Sequence, residues 1–138
     1  MAVGFKVRFY WFQVGTSSFL HSFFSTVCYN LEGKNWGSKY PCIMKELYQG
    51  ELKYENIATA LIELKDIKSG LSLLSPDKVI WDIDNLELSP PWGTDIAPTI
   101  TDLGNYFITS EGEDFLSVFD SAMQKALKLK TELSITEI

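Results

Sequence analysis

At the start of the chain, Val3, Phe5, Val7, Phe9 and Trp11 alternate with Lys6, Arg8 and Tyr10. This is the period-two pattern of a strand that buries one face, and it predicts a β-strand over residues 3–12. Gly15, Thr16 and Ser17 then supply a turn and a helix N-cap. Phe19, Leu20, Phe23, Phe24, Val27, Cys28 and Leu31 follow at the 3.6-residue spacing of an amphipathic helix stopped by Gly33. His21, the only histidine, falls off that stripe.

A loop through Asn35, Trp36 and Gly37 leads to Pro41, a residue suited to a first helical position, and to a short helix carrying Ile43, Met44, Leu47 and Tyr48. Ile57, Ala60, Leu61, Leu64, Ile67 and Leu71 form the stripe of a longer helix that Ser75-Pro76 terminates. Residues 79–83 (Val-Ile-Trp-Asp-Ile) are β-branched and aromatic and predict a second strand, with Trp81 in the core. Residues 84–103 hold three of the five prolines and no periodicity, so they read as a long irregular loop, a type that is uncommon in compact domains and often functional. Residues 105–109 predict a third strand. Ser110 and Glu113 then have capping-box spacing ahead of a helix carrying Phe115, Leu116, Phe119, Ala122, Met123, Ala126 and Leu127. The alternating tail, residues 133–138, predicts a further strand at the sheet edge. The order β-α-α-α-β-loop-β-α-β gives an α+β fold: a small twisted sheet of three to four strands with about four helices packed mainly on one face. At 138 residues the chain is expected to form a single domain, residues 1–138.

Composition sharpens this outline. The chain is 46% hydrophobic and 14% aromatic, well outside the range of disordered sequences. It lacks a secretory leader pattern and any apolar run near the ~20 residues of a membrane span. Cys28 and Cys42 lie among apolar neighbours in predicted helices and read as buried free thiols, which points to a reducing cytoplasm. The formal charge is −6, unfavourable for nucleic-acid phosphates or an anionic membrane surface. That charge is unevenly placed. Residues 77–120 hold ten acids and one base, Lys78, for a net −9, whereas residues 1–76 and 121–138 carry +2 and +1. The acidic stretch is either a solvated face or a docking surface for a cationic partner.

Catalytic constellations are sparse. A Ser-His-Asp or Cys-His arrangement would have to use His21, and no local pattern places a nucleophile beside it. One histidine and two separated cysteines fall short of an ordinary zinc ligand set, and no CxxC or phosphate-binding glycine loop is present, so neither a metal nor a cofactor is expected. Asp82 and Asp84 stand two apart at a strand end, a spacing that can aim both carboxylates to one side for a divalent cation or for acid–base work. Trp36 and Trp92 sit in loops, each followed by glycine, where a large ring either pins the loop or offers a binding anchor.

The segments Val3-Gly4-Phe5-Lys6-Val7 through Val14-Gly15-Thr16-Ser17-Ser18-Phe19, Lys78-Val79-Ile80-Trp81-Asp82, Pro90-Pro91-Trp92-Gly93 and Asp102-Leu103-Gly104-Asn105-Tyr106-Phe107 together resemble the bacterial immunity protein 70 family. The resemblance spans nearly the whole chain. It implies a cytoplasmic, non-catalytic antitoxin of a polymorphic or contact-dependent toxin system that binds the C-terminal domain of its cognate toxin. Many such toxins are nucleases with cationic grooves, to which an acidic surface is complementary. Asp82, Asp84, Glu87, Asp95 and Asp102, with Trp92 as an anchor, are the expected partner-binding residues. Two other readings share these residues: an adaptor that binds a basic peptide or protein, and a small metal-dependent enzyme built on Asp82 and Asp84.

Overall fold

In the computed structural model, which describes residues 2–93 and 95–137, the initial alternation is divided between two strands. β1 (Val3–Val7) and β2 (Tyr10–Gly15) form an antiparallel hairpin in which Val7 faces Tyr10 and Phe5 faces Phe12. The chain reverses at Arg8, whose φ of 53° is left-handed, and leaves Phe9 98% exposed at the tip. The expectation of one strand over residues 3–12 is corrected here, with a clear cause. Residues 9–12 are aromatic at every position, so either parity could face the core and the sequence does not mark the reversal. Phe12 and Val14 turn inward, while Trp11 lies on the other face above Gly4, where a Cβ would stand 2.5 Å from the Phe12 carbonyl and 2.8 Å from the Trp11 ring.

The sheet is antiparallel, in the order β2-β1-β4-β3, where β3 is Glu51–Leu52 and β4 is Leu133–Glu137. The tail is therefore an interior strand and not an edge: Phe5 pairs with Ile135 and Leu52 with Leu133. Ile138, the end of the predicted tail strand, lies outside the described residues. Three helices, α1 (Ser17–Leu31), α2 (Tyr54–Leu71) and α3 (Phe115–Leu129), cover the face that carries Val3, Phe5 and Val7. Pro41 opens a π-turn (Cys42–Glu46) continued by a 3-10 turn (Leu47–Gln49) where a short helix is predicted. The α+β class, the strand number and the one-sided helical layer are as the sequence predicts.

Aromatic rings fill the space between the layers. Phe5 stacks on Phe119 at 4.7 Å, and Phe23 meets Phe115 edge-on at 4.8 Å and Phe107 at 5.6 Å. Such contacts add about 0.5–1.5 kcal/mol each beyond the area they bury. Thr16 caps α1 by accepting from the Phe19 amide, as its position predicts. α3 is capped by Asp114, which accepts from the Ser117 amide, and not by Ser110, because Ser110 and Glu113 belong to the turn that precedes the helix.

The predicted strands over residues 79–83 and 105–109 join no ladder. The second leaves only a single bridge, Ile108 to Asp114. Residues 78–83 instead run across α1 as an extended strap whose backbone polar groups are met by the helix's side chains. Ser22 Oγ donates to the Ile80 carbonyl at 2.8 Å, Thr26 Oγ1 donates to the same carbonyl at 3.1 Å and accepts from the Ile80 amide at 3.0 Å, Ser25 Oγ accepts from Ile83, and Asn30 donates to Lys78. The β-branched composition of the strap signals half-burial. Its partner is a row of helical hydroxyls and not another strand.

Two buried carboxylates hold the 37–43 connection. Glu32 accepts from the amides of Gly37, Lys39 and Tyr40, and Glu63 accepts from those of Cys42 and Ile43. Burial pushes the Glu63 carboxyl above its ordinary value of 4.5, and the two amide donors pull against this without cancelling it.

Two predictions follow from these contacts. Charging Glu63 costs more in the folded chain than in the unfolded one. Its contribution to stability is complete below pH 4.5 and is lost as the pH rises through the raised folded value. Glu63→Gln, neutral throughout, should therefore gain on the wild type as the pH rises from 4.5 towards neutrality; urea unfolding across that range measures the gap, and parallel curves would remove Glu63 as its source. Thr26→Val deletes both bonds to Ile80 with little change of shape and should cost about 1–3 kcal/mol, with faster hydrogen exchange at the Ile80 amide. An unchanged unfolding midpoint would show that the strap does not depend on Thr26.

Candidate functional site

The strap delivers Asp82 and Asp84 to the side of α1 that carries His21. There His21 Nε2 lies 3.2 Å from Asp82 Oδ1 and 3.8 Å from Asp84 Oδ2. The histidine that borders the apolar stripe in sequence is thus the centre of a polar cluster. Its other nitrogen, Nδ1, is 3.1 Å from the Tyr48 hydroxyl, and its ring lies over Trp36 at 6.3 Å with the planes 22° apart. Asp82 also accepts from the Asp84 amide at 2.9 Å, which ties its carboxylate to the backbone of Asp84. Burial, with Asp84 and Asp82 nearby, raises the Tyr48 phenol, so it remains protonated and able to donate or accept.

Asp82 is half-buried, whereas the Asp84 side chain is 86% exposed. Among the described residues, neither carboxylate has a lysine or arginine partner; the ion pair outside this cluster is Lys39 with Asp66. His21 and Asp82 line a groove of about 470 Å³ with Leu20, Phe24, Trp81 and Leu88, a mixture of aromatic walls and negative charge.

The other predicted site residues are spread along the loop. Glu87 is exposed between Leu86 and Leu88, both of which are at least half exposed. Trp92 is partly exposed; its indole N–H donates to the Tyr106 hydroxyl at 2.8 Å and its ring meets Trp81 edge-on at 5.5 Å, so it is pinned and still presents surface. Trp81 is itself half-buried beneath it and not a core residue. Asp95 is exposed and lines, with Trp92 and Ile96, a smaller cavity of about 230 Å³. Asp102 turns inward on its own loop, accepting from the Gly104 amide at 2.7 Å and the Thr101 hydroxyl at 3.0 Å. The fold therefore unites Asp82 and Asp84, brings Trp92 against Trp81, and gives Asp102 a turn-holding role. Trp36 is pinned by donating its indole N–H to the Met44 carbonyl.

Sequence reasoning missed His21, Tyr48, Leu86 and Leu88. A signal for the first existed: Ser22, Ser25, Thr26 and Asn30 form a second, polar stripe on α1 at helical spacing, and His21 borders it. Cys28 and Cys42 are both free, and burial raises both thiols, Cys42 to about 11, the opposite of an activated nucleophile. No helix among the described residues is long and apolar enough to cross a membrane.

Neither the curated proteins nor the solved structures include a match to this chain. The family defined as immunity protein 70 does match, over residues 5–135. That span takes in most of the hairpin, α1 with its strap, the acidic loop, α3 and most of β4. The chain belongs to the immunity protein 70 family.

Proposed function

We propose that this immunity protein acts in the cytoplasm as a single domain over residues 1–138, binding the C-terminal domain of a cognate toxin through its acidic face. The reading rests on one observation. Asp84, Glu87 and Asp95 are exposed alongside Leu86, Leu88 and Trp92 on the segment that follows the strap, itself fastened to α1 by hydrogen bonds. Charge interleaved with apolar side chains is the make-up of a protein-binding patch, in which carboxylates steer the encounter and buried apolar contacts hold it.

The partner is a protein with a cationic surface, and a nuclease groove shaped for phosphates is the best match to a segment of net −9. Inhibition then needs no chemistry from the immunity protein. Asp84, Glu87 and Asp95 would occupy the positions of substrate phosphates, and Trp92 would anchor the contact. Asp82 serves this face through its position beside Asp84, and Asp102 through the shape of its turn. An adaptor that binds a basic host peptide would present the same surface but would not have a toxin gene beside its own.

Replacing Asp84, Glu87 and Asp95 together by lysine should slow association with the neighbouring toxin domain by about tenfold or more at low salt and flatten its salt dependence. Stopped-flow mixing at several ionic strengths reads both. Association as fast and as salt-sensitive as that of the wild type would sink the acidic-face assignment.

A further inference from the structure

We propose that His21, Asp82 and Asp84 form a binding site for a divalent cation of the zinc class. One ligand atom from each residue lies within 4.8 Å of the other two, and His21 Nε2 stands 3.2 Å from Asp82 Oδ1 and 3.8 Å from Asp84 Oδ2. Ligands bonded tetrahedrally at about 2.0–2.2 Å lie about 3.3–3.6 Å apart. The two nitrogen–oxygen distances already bracket that range, and the two oxygens, within 4.8 Å of each other, have at most about 1.5 Å to close on a shared ion.

The surroundings of His21 support the same reading. In the tautomer whose Nδ1–H donates to the Tyr48 hydroxyl, 3.1 Å away, Nε2 would turn its lone pair towards the two carboxylates, and a bound ion would replace the contact that Nε2 makes with Asp82. A hydrogen bond on the far nitrogen of a ligating imidazole fixes its tautomer and orientation in this way. Trp36, stacked on the ring, limits its rotation. Two carboxylates converge on this nitrogen with no lysine or arginine among the described residues to balance them, so a cation there relieves their repulsion. The imidazole nitrogen selects zinc-class ions over magnesium or calcium, which prefer all-oxygen shells. Three protein ligands leave one position for water. The ion would tie α1 to the strap, since His21 belongs to the helix, Asp82 belongs to the strap and Asp84 is the residue that follows it.

The test uses the full chain, stripped with a chelator and dialysed, then titrated with zinc chloride by calorimetry. The expected result is one ion per chain and a rise in Tm with excess zinc, and cobalt(II) in its place should show the visible bands of a four-coordinate site. Asp84→Asn, at a side chain 86% exposed, should weaken zinc binding by more than about tenfold while leaving the circular dichroism unchanged. His21→Gln should abolish it. No binding at millimolar zinc would overturn the proposal, and so would equal affinity in the wild type and Asp84→Asn, the result expected if Cys42 held the ion. Toxin association measured in chelator is a separate experiment, so loss of the metal site leaves the antitoxin reading standing, and the reverse.

Discussion

Helix α1 is covered almost all round. Phe19, Leu20 and residues 22–28 are buried, although Ser22, Ser25 and Thr26 carry hydroxyls that in most amphipathic helices would meet water. A buried hydroxyl without a partner costs about 1–3 kcal/mol, so whatever covers this side of the helix must bring hydrogen-bonding groups with it. The strap does so with unpaired backbone: the amides of Ile80 and Ile83 and the carbonyls of Lys78 and Ile80 are the partners α1 requires. Among the described residues no buried side-chain polar atom is left without a partner. Each element thus answers the other's unmet groups.

The polar cluster depends on this arrangement. With the strap seated on α1, Asp82 lies beside His21 and Asp84 follows at its edge. The opposite wall is built separately, by the two buried carboxylates that hold the chain between α1 and α2. Glu32 gathers the amides of residues 37, 39 and 40 and Glu63 those of 42 and 43, and this brings Trp36 and Tyr48 together at 4.8 Å and against His21. A carboxylate that accepts several amide bonds substitutes for regular structure where the chain has none. The cluster is therefore preorganised by contacts from both sides.

The legible parts of the fold are those with a single strong period. The stripes of α1, α2 and α3 and the cap at Thr16 follow directly from the sequence, as do the α+β class and the irregularity of residues 84–103. The failures share a cause. In residues 9–12 every position is aromatic, so the parity change at the hairpin leaves no mark. In residues 79–83 and 105–109 the composition records burial but not the identity of the partner, and strand and strap bury alike. The site was half legible. Asp82 and Asp84 stand out as a local pair, whereas His21 lies 61 residues away and joins them only through the packing of the strap. The one sequence trace of that contact is the polar stripe on α1, which is informative only when it is asked what satisfies it.

The same packing explains why the acidic segment keeps its field. Acidic surfaces are commonly neutralised by neighbouring lysines, yet among the described residues no lysine or arginine pairs with any acid between 77 and 120. Like charges that close together oppose the folded state, and much of what holds this stretch is uncharged: the hydroxyls of α1, the Trp92 bond to Tyr106 and the Trp81–Trp92 edge contact. Because those contacts do not involve the carboxylates of Glu87 and Asp95, these remain free to act on a partner. A surface already fixed in shape loses little conformational entropy when it docks, and one left unneutralised gains most from an incoming cation. Holding charge in place with neutral groups secures both at once, which ion pairing within the segment could not do.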